Sequence, residues 1–209
     1  MISIQILLFI FLAYLTGAIP FAVWIGKFFC GIDLRDFGSN NSGATNAFRV
    51  LGAKVGSAVL FLDVFKAWIS VNYIYFISDS SLKNQYEIEF QLIFGLAAVI
   101  GHIFPVYVGF KGGKGIATLL GLLIAIHLSA AIFSLFLFVL ILIIFRYVSL
   151  ASIFAAISFP IYLLLFSQNI DFSLIIFAII VPILSLITHK KNIVRLINGE
   201  ETKVNFGNK

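Results

Sequence analysis

Apolar residues run along the chain in long blocks separated by short polar segments. Seven blocks stand out, at about 3–26, 55–78, 90–108, 115–128, 130–147, 150–167 and 172–188. Phe133–Phe145 (FSLFLFVLILIIF) is apolar on every side and has no period of two. The strands of a membrane barrel alternate lipid-facing and lumen-facing residues, so the pattern predicts helices, each crossing with about 20 apolar residues. Ile116–Phe145 carries no charge at all. At 1.5 Å per residue that run spans about 45 Å, well beyond a hydrocarbon core of about 30 Å. Either one helix tilts strongly, or the chain turns back near His127-Leu128-Ser129.

Charge selects the turn. With seven spans and the N-terminus outside, the inside segments hold Lys27, Arg35, Arg49, Lys54, Lys111, Lys114, Arg146, Lys190, Lys191, Arg195, Lys203 and Lys209. The outside segments hold Lys83 alone, and Lys66 lies within a span. Merging the fourth and fifth spans would carry Arg146 and the basic C-terminus outside, against the positive-inside tendency. The expectation is therefore an all-α integral membrane protein with seven transmembrane helices, N-terminus outside and C-terminus cytoplasmic. The N-terminus has no basic leader region or small-residue cleavage site and reads as a retained first helix. One polytopic domain over residues 1–209 is expected, with cytoplasmic segments at about 27–54, 109–115 and 189–209.

Composition agrees with that class. Of 209 residues, 61% are hydrophobic and 11% charged, against roughly 25% charged in soluble domains. One cysteine, Cys30, excludes a disulfide scaffold and a cysteine-based metal cluster. The net charge of +5 follows from the topology and from contact with anionic lipid headgroups; it is no sign of nucleic-acid binding.

The chemistry is concentrated in three polar segments, all expected on the cytoplasmic face. The first is Gly38-Ser39-Asn40-Asn41-Ser42-Gly43-Ala44-Thr45-Asn46, followed by Arg49 and Gly52. The second runs from Gly101-His102-Ile103-Phe104-Pro105 to Phe110-Lys111-Gly112-Gly113-Lys114-Gly115. The third is His189-Lys190-Lys191-Asn192-Ile193-Val194-Arg195, ending at Gly199-Glu200-Glu201. Two are glycine-rich and lead into helices. Glycines let successive backbone N–H groups curl around an anion, and a helix N-terminus adds favourable partial charge. The hydroxyls of Ser39, Ser42 and Thr45 and the cations Arg49, Lys111 and Lys114 suit phosphate oxygens. Neither loop is a Walker A or a dinucleotide motif, since Gly115 follows Lys114 and no glycine occupies position 108. Two phosphate sites beside a membrane are the expectation, without a nucleotide.

Histidine is scarce. His127 falls at a turn and reads as structural, His102 as a hydrogen-bonding anchor beside Pro105, and His189 as the one placed to meet a phosphate or take a proton. Three histidines so far apart make no zinc site. Asp63 and Lys66, at i and i+3 within the second span, can form a buried pair, although intramembrane charges also suggest function.

Taken together, the three segments resemble the bacterial acyl-phosphate:glycerol-3-phosphate acyltransferases, the PlsY family. The first motif is matched at Gly38, Ser39, Asn41, Gly43 to Asn46, Arg49, Leu51 and Gly52. The second is matched at Gly101, His102, Phe104, Pro105, Phe110 to Gly115, Ala117 and Thr118. The third is matched at His189, Asn192, Ile193, Arg195, Leu196, Gly199 and Glu201. Tyr147–Ser152 also looks like the family. Asn40 stands where the family usually has glycine; asparagine tolerates positive φ better than most residues.

The resemblance implies transfer of a fatty acyl group from acyl phosphate to the sn-1 hydroxyl of glycerol 3-phosphate. The products would be 1-acylglycerol 3-phosphate (lysophosphatidic acid) and inorganic phosphate, the first step of phospholipid synthesis at the bacterial cytoplasmic membrane. No cofactor or metal, and no covalent acyl-enzyme, is expected. The candidate catalytic residues are His189, Asn192, Ser39 and Arg49. The candidate substrate-binding residues are Gly38, Asn41, Ser42, Gly43, Thr45, Asn46, Lys111, Gly112, Gly113, Lys114, Gly115, Arg195 and Glu201. Ser39, Gly43, Thr45 and Asn46 would cradle the donor phosphate, Arg49, Lys111 and Lys114 would hold anionic groups of both substrates, and His189 and Asn192 would orient the acceptor. The general base is either His189 or the donor phosphate. The His-x₄-Asp pattern of other glycerolipid acyltransferases is absent, since Val194, Tyr107 and Ile132 occupy that spacing. The rival reading is a transporter for a phosphorylated solute, but transporters place binding residues near the midplane between repeats, and no repeat is found here.

Overall fold

The computed structural model describes residues 4–205, so the first three residues and Lys209 of the topology argument lie outside the described residues. The described residues contain no strand and form ten α-helices. They divide into two compact units with the boundary between Ile126 and His127.

In the first unit, α1 (Ile4–Ala18) and α2 (Phe21–Cys30) are separated by Ile19-Pro20, and α3 (Ala44–Val71) is interrupted at Gly52. There φ of 83° and ψ of 176° break the helix where an L side chain would be strained. A short α4 (Ser80–Gln85) precedes α5 (Glu87–Ile103) and α6 (Ile116–Ile126). α5 packs against α1, α3 and α6, while α3 also packs against α1, α2 and α6. The helices come unusually near one another where glycines remove side chains. A Cβ on Gly101 would collide with the Tyr14 carbonyl, and one on Gly121 with the backbone of Val64. Phe90, Phe94, Ile6 and Ile74 form one apolar core; Ala22, Leu34, Ala47 and Val59 form another beside the first polar segment.

The second unit holds α7 (Leu128–Phe145), α8 (Val148–Phe166), α9 (Phe172–Thr188) and α10 (Lys190–Ile197). α8 packs against both α7 and α9, with the Ser158 hydroxyl donating to Ser134 Oγ at 3.0 Å and Phe159 edge-on to Phe177. The expected break falls at His127. Its Nδ1 accepts the Ala130 N–H at the start of α7, and its ring meets Tyr162 edge-on, a structural role.

Four stretches among the described residues are long and apolar enough to cross a membrane: Ile4–Cys30, Glu87–Val108, α7 and α8. The pair α9 and α10, bent by 64°, makes a fifth if read as one broken span. Two of the seven expected blocks fall short for identifiable reasons. α6 has 11 residues, about 16 Å of helix, and α3 beyond its break carries Lys54, Asp63 and Lys66. Large apolar side chains such as Ile143, Leu164, Phe172 and Ile187 face outward, a surface suited to lipid rather than water.

Candidate active site

The first polar segment is wound around one side chain. Asn46, in the first turn of α3, is almost fully buried. Its Nδ2 donates to the carbonyls of Leu34, Phe37 and Asn41 at 2.9, 3.0 and 3.0 Å, and its Oδ1 accepts the Ser39 N–H at 2.9 Å. The turn needs left-handed backbone at Gly38 (φ 62°) and Asn40 (φ 56°). Asn40 supplies it as the sequence suggested, and its side chain also donates to the Arg35 carbonyl at 3.0 Å. Asn41 Oδ1 takes the Gly43 N–H at 3.0 Å, and Gly43, which precedes α3, has no side chain to cap it. The N–H groups of Ala44 and Thr45, which open α3, have no intrahelical acceptor and suit an anion. Thr45 and Arg49, both exposed, stand at i and i+4 on one helix face.

The second segment folds back on α5. Gly112 and Gly113 donate their N–H groups to the carbonyls of Ile103 and His102 at 3.2 and 3.1 Å. Both glycine N–H groups are thus taken up by the chain itself. The last carbonyls of a helix need donors, and these two glycines supply them. A Cβ on Gly113 would run into His102 Nε2, and one on Gly112 into the His102 carbonyl. Their lack of side chains therefore gives the loop its path, with Lys111 exposed and Lys114 half-buried beside it. In the first segment the Ser39 and Gly43 N–H groups are likewise taken by Asn46 and Asn41, and Asn46 serves the loop with its whole amide.

The structure brings these two segments side by side. Arg35 Nη1 donates to the Val108 carbonyl at 2.8 Å, and Ser42 Oγ lies 3.5 Å from the Lys111 carbonyl. Arg35 is itself held by Asp33, at 2.7 Å, with Lys27 on the same carboxylate oxygen at 3.0 Å. The hydrogen bonds from Arg35 hold the Asp33 carboxyl well below the usual carboxylate range, and Asp33 raises the Arg35 guanidinium in turn. No motif marked Asp33 or Arg35; an Asp-x-Arg spacing ahead of the glycine loop was the only trace.

The third segment belongs to the second unit. His189 is 2% exposed, and its Nδ1 lies 2.9 Å from the Ser185 carbonyl. A carbonyl only accepts, so Nδ1 carries a proton in this contact, and Nε2 is the other nitrogen of the ring. Asn192 Nδ2 donates to Glu201 Oε1 at 2.7 Å, and the Ser149 hydroxyl donates to the same oxygen at 2.7 Å. Arg195, one turn on in α10, is exposed. Ser149 was not among the candidates, though it lies within the Tyr147–Ser152 stretch.

Comparison with known proteins decides the family. Residues 7–199 match the family described as glycerol-3-phosphate acyltransferase. The chain belongs to that family. A glycerol-3-phosphate acyltransferase of Fusobacterium nucleatum is 44% identical, covering 95% of this chain and 97% of its own. One from Chlorobium phaeobacteroides is 40% identical over 94% and 95%. Among solved structures, the crystal structure of PlsY (YgiH), an integral membrane glycerol 3-phosphate acyltransferase, in its glycerol 3-phosphate form matches with a TM-score of 0.85. It is 40% identical and covers 96% of both chains. Its lysophosphatidic acid form matches with a TM-score of 0.83 at 39% identity, covering 96% of this chain and 95% of that one.

Within this family frame, the residues divide by what they touch. Asn46, Asn41, Gly112, Gly113 and Glu201 are engaged with the protein's own backbone or side chains. Thr45, Arg49, Lys111 and Arg195 lie at the surface of their segments. Among the described residues no cluster of His, Cys, Asp and Glu could hold a metal ion.

Proposed function

We propose that this protein moves a fatty acyl group from acyl phosphate to the sn-1 hydroxyl of glycerol 3-phosphate, giving 1-acylglycerol 3-phosphate and inorganic phosphate. The observation that supports the reading is the first loop: Asn46 closes it by taking the Ser39 N–H and donating to the Leu34 carbonyl, just where α3 begins after Gly43, and a helix start beside Thr45 and Arg49 suits an anion. Both substrates bear phosphate, which fits a second basic loop at Lys111 and Lys114.

In this proposal Ser39, Thr45 and the α3 terminus hold the donor phosphate, with Gly38, Gly43 and Asn46 shaping the cradle. Arg49, Lys111 and Lys114 neutralise the phosphates, and Ser42, Gly112, Gly113 and Gly115 set the course of the second loop. His189 and Asn192 orient the acceptor, Asn192 being fixed by Glu201, and Arg195 adds positive charge. The acceptor oxygen attacks the acyl carbonyl carbon, the bond from that carbon to the phosphate oxygen breaks, and phosphate leaves with the electron pair. The hydroxyl proton goes to His189 Nε2 or to the departing phosphate. Acyl phosphate is already activated, so orientation and stabilisation of developing charge supply the rate without a covalent intermediate. The reading includes seven spans in a bacterial cytoplasmic membrane, N-terminus outside and active site on the cytoplasmic side, supported by the distribution of Lys and Arg.

The test is a coupled assay on purified protein in detergent or lipid, with palmitoyl phosphate and glycerol 3-phosphate, and acyl-CoA as a parallel donor. Equal, protein-dependent yields of phosphate and lysophosphatidic acid from acyl phosphate alone are expected. Product only from acyl-CoA would discard the donor. No product from either, in folded protein, would discard the activity in favour of solute transport.

A further inference from the structure

Asp63, Lys66 and His102 form a polar cluster inside the first unit that takes no part in the chemistry above. All three are more than nine-tenths buried, at 1%, 3% and 7% exposure. Lys66 Nζ lies 2.8 Å from Asp63 Oδ1 and donates to the Ile19 carbonyl at 2.9 Å. A buried ion pair is a weak source of stability, since well-packed apolar residues often do as well. Its presence among apolar helices therefore calls for another reason.

The cluster leads to the second glycine loop. His102 Nδ1 lies 3.5 Å from Asp63 Oδ1, at the long limit of a hydrogen bond. A carboxylate can only accept, so the proton of the ring faces Asp63. The opposite edge of the ring, Nε2, abuts Gly113 so closely that no Cβ fits there. The His102 carbonyl also receives the Gly113 N–H at 3.1 Å. One residue thus touches Asp63 on one side and the loop on the other, by ring and by backbone. A cavity of about 10 Å³ beside it is lined by Asp63, Lys66 and His102 together with Ser42 of the first loop and Pro105 of the second. The cluster therefore borders both loops.

We propose that Asp63 and His102 are positioning residues for the phosphate-binding loop: Asp63 fixes the His102 ring, and the ring and carbonyl of His102 fix the path of Gly112-Gly113, which sets Lys111 and Lys114. The inference rests on the reading that this loop binds a substrate phosphate. A loop moved off this path loosens the grip of Lys111 and Lys114 on a phosphate, and one charge-assisted contact is worth about tenfold or more in affinity, so the effect is measurable.

The experiment compares His102→Leu, which keeps bulk but removes both ring nitrogens, with His102→Asn, whose Nδ2 can replace Nδ1 towards Asp63. Each is purified, checked for monodispersity and thermal unfolding, and assayed for kcat and KM against both phosphate-bearing substrates. His102→Leu is expected to raise KM for at least one substrate by about tenfold or more with little change in kcat, and His102→Asn to recover most of it. Asp63→Asn should raise the same KM; if that variant does not fold, the two His102 variants decide. A double variant with Gly113→Ala should be no worse than the worse single, because both changes act on one loop path. A fall in kcat or in folded yield with KM unchanged overturns the proposal, as does His102→Asn behaving like His102→Leu. Lys111→Ala and Lys114→Ala are run alongside. If neither raises KM for either substrate, the phosphate-loop reading itself fails; if they do and His102→Leu does not, only the positioning role fails.

Discussion

Asn192 and Glu201 are joined by a 2.7 Å hydrogen bond, and the carboxylate oxygen that receives it also receives the Ser149 hydroxyl. A carboxylate in a membrane enzyme for anionic substrates would repel them if it faced them. Here it is turned onto two neutral donors and ties the C-terminal segment to α8 and α10.

Replacing Glu201 with Ala releases both donors at once. Hydrogen bonds to charged groups contribute about 1.5–3 kcal/mol, so a loss of stability on that order is expected, with activity falling alongside. Thermal unfolding of the purified variant measures the first and initial rates the second. Unchanged unfolding would show that the segment is held by other means.

Asn46→Asp is a sharper test of the first loop than Asn46→Ala. The change keeps the shape but sets a second oxygen against three backbone carbonyls that now receive N–H groups. At about 1 kcal/mol per lost hydrogen bond, and more for each polar group left buried and unpaired, Asn46→Asp should lower stability by about 3 kcal/mol or more. It should also raise KM for acyl phosphate, the donor of the proposed reaction. A normal KM with normal stability would remove Asn46 from the loop's design.

At position 40 the backbone, rather than the side chain, sets the tolerance. With φ at 56°, Asn40→Gly should hold activity within about twofold, losing only the bond to the Arg35 carbonyl. Asn40→Val should cost about 1–2 kcal/mol, since a β-branched residue fits poorly in left-handed backbone. Equal unfolding temperatures for the two variants would contradict the geometry.

Asp33 gives a pH dependence with a defined sign. Its folded-state pKa lies below its unfolded value of about 3.9. The stability it contributes is thus fully present above about pH 4 and is lost as pH falls towards the folded value. Asp33→Asn should lower stability by about 1.5–3 kcal/mol near neutrality, with a gap to the parent that is flat from about pH 8 to pH 5 and narrows below about pH 4. A gap that widens in acid would mean that Arg35 is held by something else.

His189→Ala separates the two bases. If Nε2 takes the proton, turnover at saturating substrate should fall by about 10²–10⁴-fold. A loss of only a few-fold would leave the ring as an orienting group and assign the proton to the departing phosphate.

The sequence by itself determined the class and the family. Apolar blocks without a period of two require helices in lipid, because every buried backbone N–H and C=O must be satisfied within the segment. Three polar motifs in order matched a family whose membership the comparisons bear out. The break at His127 was legible as well, since an uncharged run from Ile116 to Phe145 is too long for one crossing. Asn40 was legible because positive φ is a local property of the backbone. Only the tertiary structure decided where the polar groups of these motifs are used. Asn46, Gly112 and Gly113 look like ligand residues in a motif, yet their donors serve carbonyls of the chain itself, Asn46 as far back as Leu34. The clamp from Asp33 through Arg35 to Val108, and the contact from Asp63 through His102 to Gly113, join residues far apart in sequence. No spacing rule encodes them, because a hydrogen bond depends on which groups packing brings within about 3 Å, and that is set by how the helices meet.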